Sequence, residues 1–268
     1  MTWRPGLVAL DVDGCVLEWE RGTDKTSEKV TPAVFDSVAR VLRAGVPVVL
    51  ASGRSTHGLV DVAALLDLPS PGWLVGSNGA VVSTYAPPRI VRDWCFDARP
   101  VVEAVLARFP DAMIAVEEAV IGYQVNRPFP RGELSAPSTV LPPEKIGWRR
   151  APRVMIRRPG SSSAELASLA SELGLAGTDY VANLTDWLDL SPVGVNKASG
   201  LAFVAERLGV GAADVLAIGD GRNDIEMLQW AGRGVAMGQA VQDVHDAADA
   251  STASVGEDGV AVELDRWF

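Results

Sequence analysis

Leu7-Val8-Ala9-Leu10-Asp11-Val12-Asp13-Gly14 carries four apolar residues straight into a compact acidic turn, and its reading decides the fold. An apolar run of strand length with no polar alternation is the pattern of a strand buried on both faces, as in a parallel sheet. Three further runs end in the same way. Val46 to Ala51 stops at Ser52-Gly53-Arg54, Trp73 to Gly76 at Ser77-Asn78-Gly79, and Val215 to Ile218 at Gly219-Asp220. Open α/β sheets bind ligands outside the carboxyl ends of their strands, so the four polar tips are expected to meet in one site.

Outward from these runs, strand-like and helix-like segments alternate, which is the pattern of a doubly wound parallel sheet, a Rossmann-like α/β core. Thr31 can cap a first helix, Pro32 suits its first turn, Val34, Val38, Val41 and Leu42 recur at helical spacing, and Gly45 ends it. A second helix is expected over residues 57–66, its amino end toward the site, where free backbone amides favour an anion. The texture changes from residue 85 to residue 184, with proline breaks at Pro87-Pro88, Pro128, Pro130, Pro137 and Pro142-Pro143. Strands are expected there at residues 90–95, 113–117, 121–125 and 154–156, and helices at residues 101–109 and 164–173. The core pattern resumes at Trp187, where Leu188-Asp189-Leu190 leads to Asn196-Lys197 and a helix through Leu201, Val204 and Leu208. The expected organisation is a discontinuous core, residues 1–84 and 185–268, holding an inserted α/β or α+β cap, residues 85–184.

Composition narrows the function classes. A chain of 268 residues with 48% hydrophobic and 22% charged residues can bury a large core. Its formal net charge of -10 opposes binding to a nucleic-acid backbone, which needs clustered Lys and Arg. Two cysteines, Cys15 and Cys95, give neither a disulfide framework nor a Cys/His metal spacing, and a reducing cytoplasm is the expected compartment. The start of the chain lacks the apolar length of a signal peptide and no run reaches membrane-spanning length, so neither export nor a membrane partner is expected. The expected oligomeric state is monomer or homodimer. His57 and His245 are single and unpaired and take no role.

If the tips converge, Asp11, Asp13 and Asp220 bring three carboxylates into one small volume, which is costly unless a cation neutralises them. Hard oxygen donors without His or Cys suit Mg2+. Lys197 adds a positive charge, while Ser52 and the amides after it can donate to phosphate oxygens. Asp11 and Asp13 would point to opposite faces of a regular strand, so the chain must leave strand geometry at Asp13-Gly14, which glycine permits. Each piece alone is an ordinary turn or a surface lysine; their joint order at strand ends carries the reading.

In that order, Asp11-Val12-Asp13-Gly14, Ser52-Gly53-Arg54, Lys197 and Gly219-Asp220-Gly221-Arg222-Asn223-Asp224 resemble the four motifs of the haloacid dehalogenase superfamily. Ser77-Asn78-Gly79-Ala80, Val235-Ala236-Met237-Gly238 and Glu257-Asp258-Gly259-Val260 are similar to its Cof-type, class IIB branch, with a cap between the second and third motifs. The resemblance implies a Mg2+-dependent phosphatase acting on small phosphorylated metabolites, sugar phosphates among them, through an aspartyl-phosphate. It implies Asp11 as nucleophile and Asp13 as general acid and base. Ser52, Gly53, Arg54, Lys197 and Asn223 would bind phosphate, and Asp11, Asp13, Asp220 and Asp224 would serve the metal. A phosphomannomutase-like phosphotransferase and a non-catalytic sensor of a phosphorylated metabolite are the alternatives.

Two positions depart from the pattern: Cys15 replaces the usual threonine, with oxidation sensitivity as a consequence to test, and Gln239 replaces asparagine. The polar loop over residues 18–29 reads as a flap. In the cap, Tyr123, Asn126, Arg127, Arg131, Arg149 and Arg150 are the candidates for contact with the leaving group, and Asp189 could face the site.

Overall fold

Leu7 and Ala9 point into one apolar layer and Val8 and Leu10 into another, so the first strand is covered on both sides. That double burial follows from its unbroken apolar sequence and makes it the middle of a three-layer core. The computed structural model describes residues 3–18, 27, 29–119, 121–131, 133–147, 149–162, 165, 168, 178–181 and 186–268.

In chain order the first part of the core contains β1 (Leu7–Leu10), α1 (Pro32–Arg43), β2 (Val48–Ala51), α2 (Thr56–Leu65), β3 (Gly72–Gly76), β4 (Val81–Tyr85) and β5 (Arg89–Asp93). The middle of the chain supplies β6 (Phe96–Asp97), α3 (Arg99–Arg108), β7 (Met113–Glu118), β8 (Gly122–Val125), β9 (Ser138–Val140), β10 (Arg150–Ala151), β11 (Val154–Arg157), β12 (Thr178–Val181) and β13 (Trp187–Pro192). The core is completed by α4 (Lys197–Leu208), β14 (Val215–Gly219), α5 (Ile225–Trp230), β15 (Arg233–Ala236), α6 (Gln242–Ala247), β16 (Ala250–Ser251) and α7 (Gly259–Leu264).

Among the described residues the core strands form an eight-stranded sheet in the order β16-β15-β14-β1-β2-β3-β4-β5. Strands β16 through β3 run parallel, and β3, β4 and β5 follow as an antiparallel meander. Helices α1, α2 and α7 cover one face and α4, α5 and α6 the other. The connection from β1 leads to β2 on one side, while β14 joins β1 on the other, so the strand order reverses at β1. At that switch point the strand ends leave a crevice. Helix α1 begins as its sequence predicts: Thr31 Oγ1 accepts the Val34 N–H, Pro32 follows, and Gly45, at φ +77°, lies just beyond its end.

The second sheet has the order β12-β13-β11-β7-β8-β9, antiparallel except for the β8–β9 pair. Period-two alternation sorts its residues. Ile114, Val116, Val154, Ile156, Leu188 and Leu190 pack with Val101, Val102 and Val105 of α3, while Ala115, Tyr123 and Met155 form a cluster on the opposite face. Glu117 and Asp189 alternate onto that second face, which turns toward the core.

Two strands belong to the other sheet than their sequence suggests. Residues 89–93 pair with β4 and form the outer strand of the core sheet, and residues 187–192 pair with β11 and β12 in the second sheet. In β13 the alternation of Leu188 and Leu190 with Asp189 is that of a strand with one helix-covered face, not of a doubly covered parallel strand. The helix expected over residues 164–173 falls mostly outside the described residues, as does most of the expected flap over residues 18–29. Among the described residues no helix is long and apolar enough to cross a membrane.

Candidate active site

Asp11 follows β1 directly, its N–H donating to the Ile218 carbonyl at 3.0 Å, so it is held level with the end of β14. The chain then turns: the Val16 and Leu17 amides donate to the Val12 carbonyl at 2.9 and 2.8 Å, and Gly14 stands at φ +86°. Here strand geometry ends where the sequence requires it to end.

Lys197 is the first residue of α4. The preceding Asn196 accepts the Ser199 N–H on its Oδ1 at 3.0 Å, while the Asn196 N–H donates to Ser199 Oγ at 3.1 Å. This reciprocal cap fixes where the helix starts and thus where the lysine departs. Lys197 Nζ donates to Asp11 Oδ1 at 2.7 Å and to Asp224 Oδ1 at 2.6 Å, with 0% of the lysine exposed. The other oxygen of Asp224 accepts the N–H groups of Asp220 and Gly221, at 3.0 and 2.9 Å. Oxygens of Asp11, Asp220 and Asp224 lie within 4.8 Å of one another, the acidic cluster found among the described residues.

The electrostatics of this cluster favour a cation. Burial raises the Asp11 carboxyl well above its usual pKa, Asp224 adds to the rise, and Lys197 opposes it. Burial, with Asp224 next, raises Asp220 to about 6. For Lys197, burial acts downward, but Asp11 and Asp224 outweigh it and hold the ammonium above its usual value. One ammonium faces three carboxylates, and a divalent ion on their oxygens would remove the imbalance. The donors are all hard oxygens, two of them on buried residues and one on the partly exposed Asp220, so the residues fit a Mg2+-like cation.

The other expected site residues divide. Asp13 is not part of the acidic cluster, although the sequence reading put it among the metal ligands. The turn at Gly14 aims it at the tip of β2, where Arg54 Nε lies 3.0 Å from both of its oxygens and Nη2 2.7 Å from Oδ1. Ser52 Oγ accepts the Arg54 N–H at 3.1 Å, which folds this tip back on itself. Asn223 Nδ2 donates to Asn78 Oδ1 at 3.0 Å, joining the tips of β14 and β3. Gln239 Nε2 donates to the Gly14 carbonyl at 2.6 Å and to Asp220 Oδ2 at 3.2 Å, tying the β1 turn to the Asp220 carboxylate.

In the cap, Asn126 bonds only backbone, donating to the Ala112 carbonyl and accepting the Ile114 N–H. Arg127, Arg131, Arg149 and Arg150 are exposed, and Arg127 and Arg150 donate to the Pro110 and Cys95 carbonyls. Asp189 does face the site: Asn78 Nδ2 lies 3.3 Å from its Oδ2. Sequence reasoning missed Arg153 and Glu117, and placed Ser77 in a strand-end tip without giving its side chain a partner. Ser77 Oγ donates to Glu117 Oε1 at 2.5 Å, and Arg153 Nε donates to Glu117 Oε2 at 3.0 Å. A legible signal existed, since Ile114-Ala115-Val116-Glu117 ends an apolar strand in a carboxylate that needs a partner if buried.

Comparison with known proteins agrees with this geometry. The haloacid dehalogenase-like hydrolase family matches residues 8–105 and 154–264. The stress response protein YhaX of Bacillus subtilis is 26% identical over 98% of this chain and 93% of its own length. The 5-amino-6-(5-phospho-D-ribitylamino)uracil phosphatase YitU of the same organism is 26% identical over 100% and 99%. Among solved structures, a haloacid dehalogenase-like hydrolase from Bacteroides thetaiotaomicron superposes with a TM-score of 0.80 at 26% identity, covering 98% of this chain and 99% of that one. Family match, sheet order and strand-end aspartates coincide, and the chain belongs to the haloacid dehalogenase-like hydrolases as an enzyme of their Cof-type phosphatase group.

Proposed function

We propose that the enzyme is a Mg2+-dependent phosphatase that hydrolyses small phosphate monoesters, sugar and polyol phosphates above all, through an aspartyl-phosphate on Asp11. The observation that carries this reading is the buried Lys197 ammonium bonded to both Asp11 and Asp224 beside Asp220, at the carboxyl end of β1. The leaving-group class draws support from the relative YitU, whose named substrate bears a phosphorylated ribityl group.

Asp11 attacks phosphorus in line with the leaving oxygen, and the P–O bond to that oxygen breaks as Asp13 delivers its proton. Water then attacks the phosphorus of the aspartyl-phosphate, Asp13 takes the water proton, and phosphate leaves with Asp11 restored. Lys197, Ser52, the amides of Gly53 and Arg54, and Asn223 are the groups assigned to the phosphoryl oxygens. Arg54 grips Asp13 in this structure, so its transfer to the phosphate would release Asp13 for proton transfer. Asp11, Asp220 and Asp224 would hold Mg2+, which would offset charge on the phosphoryl group. The six-stranded sheet and α3 are the inserted cap, entered after β5 and left before α4. The proposed setting is the cytoplasm, with a small metabolite rather than a macromolecule as partner.

The test is phosphate release from a panel of sugar phosphates and an aryl phosphate, with Mg2+ and with chelator, for wild type and Asp11→Asn. Release that requires both Mg2+ and Asp11 supports the proposal. Turnover by the folded Asp11→Asn protein would refute the nucleophile. Transfer of phosphate to a second sugar, in place of release to water, would replace the phosphatase by a mutase.

A further inference from the structure

Arg153 precedes β11 and is 4% exposed, and its guanidinium is divided between the two sheets. Within the cap, Nε donates to Glu117 at 3.0 Å, Nη2 donates to the Tyr123 hydroxyl at 3.0 Å, and Nη1 stands 3.7 Å from Asp189 Oδ2. Across to the core, Nη1 donates to the carbonyl of Gly53, in the middle of the Ser52-Gly53-Arg54 turn. The cap contributes two further bonds to the neighbouring tip, Glu117 to Ser77 and Asp189 to Asn78.

The β3 tip needs such restraint. Ser77, Asn78 and Gly79 stand consecutively at φ +53°, +54° and +95°, and a serine in the left-handed region persists only where its surroundings over-determine it. The constraint is passed on. A Cβ on Gly79 would lie 1.9 Å from the Asn196 carbonyl oxygen, so this tip abuts the residue that caps α4 and places Lys197. Asn78 meanwhile receives the Asn223 side chain from the β14 tip.

We propose that Arg153 is a positioning residue for phosphate binding. With Glu117 and Asp189 it sets the backbone of the β2 and β3 tips from the cap, so that the phosphoryl-binding turn attains its geometry only with the cap seated. The bond to the Gly53 carbonyl orients the Gly53–Arg54 peptide, and with it the Arg54 amide, one of the two assigned to phosphate. The proposal rests on the phosphatase reading for where phosphate binds, but it makes a claim about the binding of phosphate itself, which can be measured without turnover.

The experiment measures Kd for inorganic phosphate by calorimetry in the presence of Mg2+, beside kcat and KM for an aryl phosphate and a hexose phosphate. Arg153→Ala strands the Glu117 charge in the interior, so the double variant Arg153→Met/Glu117→Gln, which removes both charges, and Arg153→Lys are measured with it. The expected result is a phosphate Kd weakened roughly tenfold to hundredfold in both charge-removing forms, with kcat/KM falling alike for both esters and Arg153→Lys restoring part of the loss. An unchanged phosphate Kd in the folded double variant would overturn the proposal. So would a loss confined to the hexose phosphate, which would make Arg153 a leaving-group contact. A wild type that binds phosphate but releases none from any ester would sink the phosphatase reading while leaving the positioning claim to its own Kd test.

Discussion

Lys197 Nζ lies 2.7 Å from Asp11 Oδ1 in a position closed to solvent, so the ammonium and the carboxylate are each other's main compensation for lost hydration. Asp224 shares the same ammonium, and removing the lysine would leave both carboxylates buried against each other.

Lys197→Met should therefore lower the unfolding free energy by about 3–5 kcal/mol, the usual cost of stripping one partner from a buried pair. Urea denaturation of the metal-free protein checks this. The same variant should lose more than about a hundredfold in kcat, because its charge is also assigned to the phosphoryl oxygens. An unchanged midpoint would show the pair to be replaceable.

The carboxylate cluster makes metal binding a function of pH. Asp220 titrates at about 6 in the folded protein against an ordinary 3.8, so the folded state holds that proton more tightly than the unfolded one. Stability linked to Asp220 is thus complete below its ordinary value and is lost as pH rises through about 6. Under the proposed Mg2+ site the ion would replace the proton, so its stabilising effect should grow over the same interval. The Tm difference between Mg2+ and chelator should be larger at about pH 7.5 than at about pH 5, and Asp220→Asn should reduce it. Equal shifts at both pH values would contradict a metal held by Asp220.

Cys15 should be inert. It is buried, its Sγ donates to the Ile218 carbonyl at 3.6 Å, and burial, with Asp11 next, raises its thiol pKa well above the ordinary value. Burial and Asp93 push Cys95 up to about 12. The structure opposes the oxidation sensitivity that the Cys-for-Thr departure raised, since attack needs the thiolate. Ellman titration of the native protein at neutral pH should show slow reaction of both thiols, with fast reaction only on unfolding. Cys15→Thr should keep kcat within about twofold.

Gly79→Ala probes the closest approach in the site. The added methyl would meet the Asn196 carbonyl oxygen at a backbone φ that disfavours it. The expected cost is about 2–4 kcal/mol together with a fall in kcat/KM, since the start of α4 must shift and carries Lys197 with it. Circular dichroism melts and kinetics on one preparation measure both effects.

The tips of β1, β2, β3 and β14 were legible because each is a local event, an apolar run meeting polar residues within a few positions. Lys197 was legible through its order in the chain and the resemblance that order carries. The swapped placement of β5 and β13 was not, because sheet membership depends on a partner strand distant in sequence. The pairing of Asp13 with Arg54 was not legible, since a repeat of two aspartates does not say that the turn at Gly14 will aim the second side chain at Arg54. Arg153 was passed over for Arg149 and Arg150, its near neighbours in sequence. Only the register of β7 against β11, with the Glu117 N–H on the Arg153 carbonyl, distinguishes the buried arginine from the exposed ones.

Strand β5 exposes Arg89, Arg92 and Asp93, and at the opposite end of the sheet β16 has only two residues. Unpaired strand backbone invites another chain to add on, and charge or brevity at the border discourages it. The sheet is guarded at both margins by these different means. A drift toward apolar residues at positions 89 and 92 would turn one of those margins into a seam for self-association.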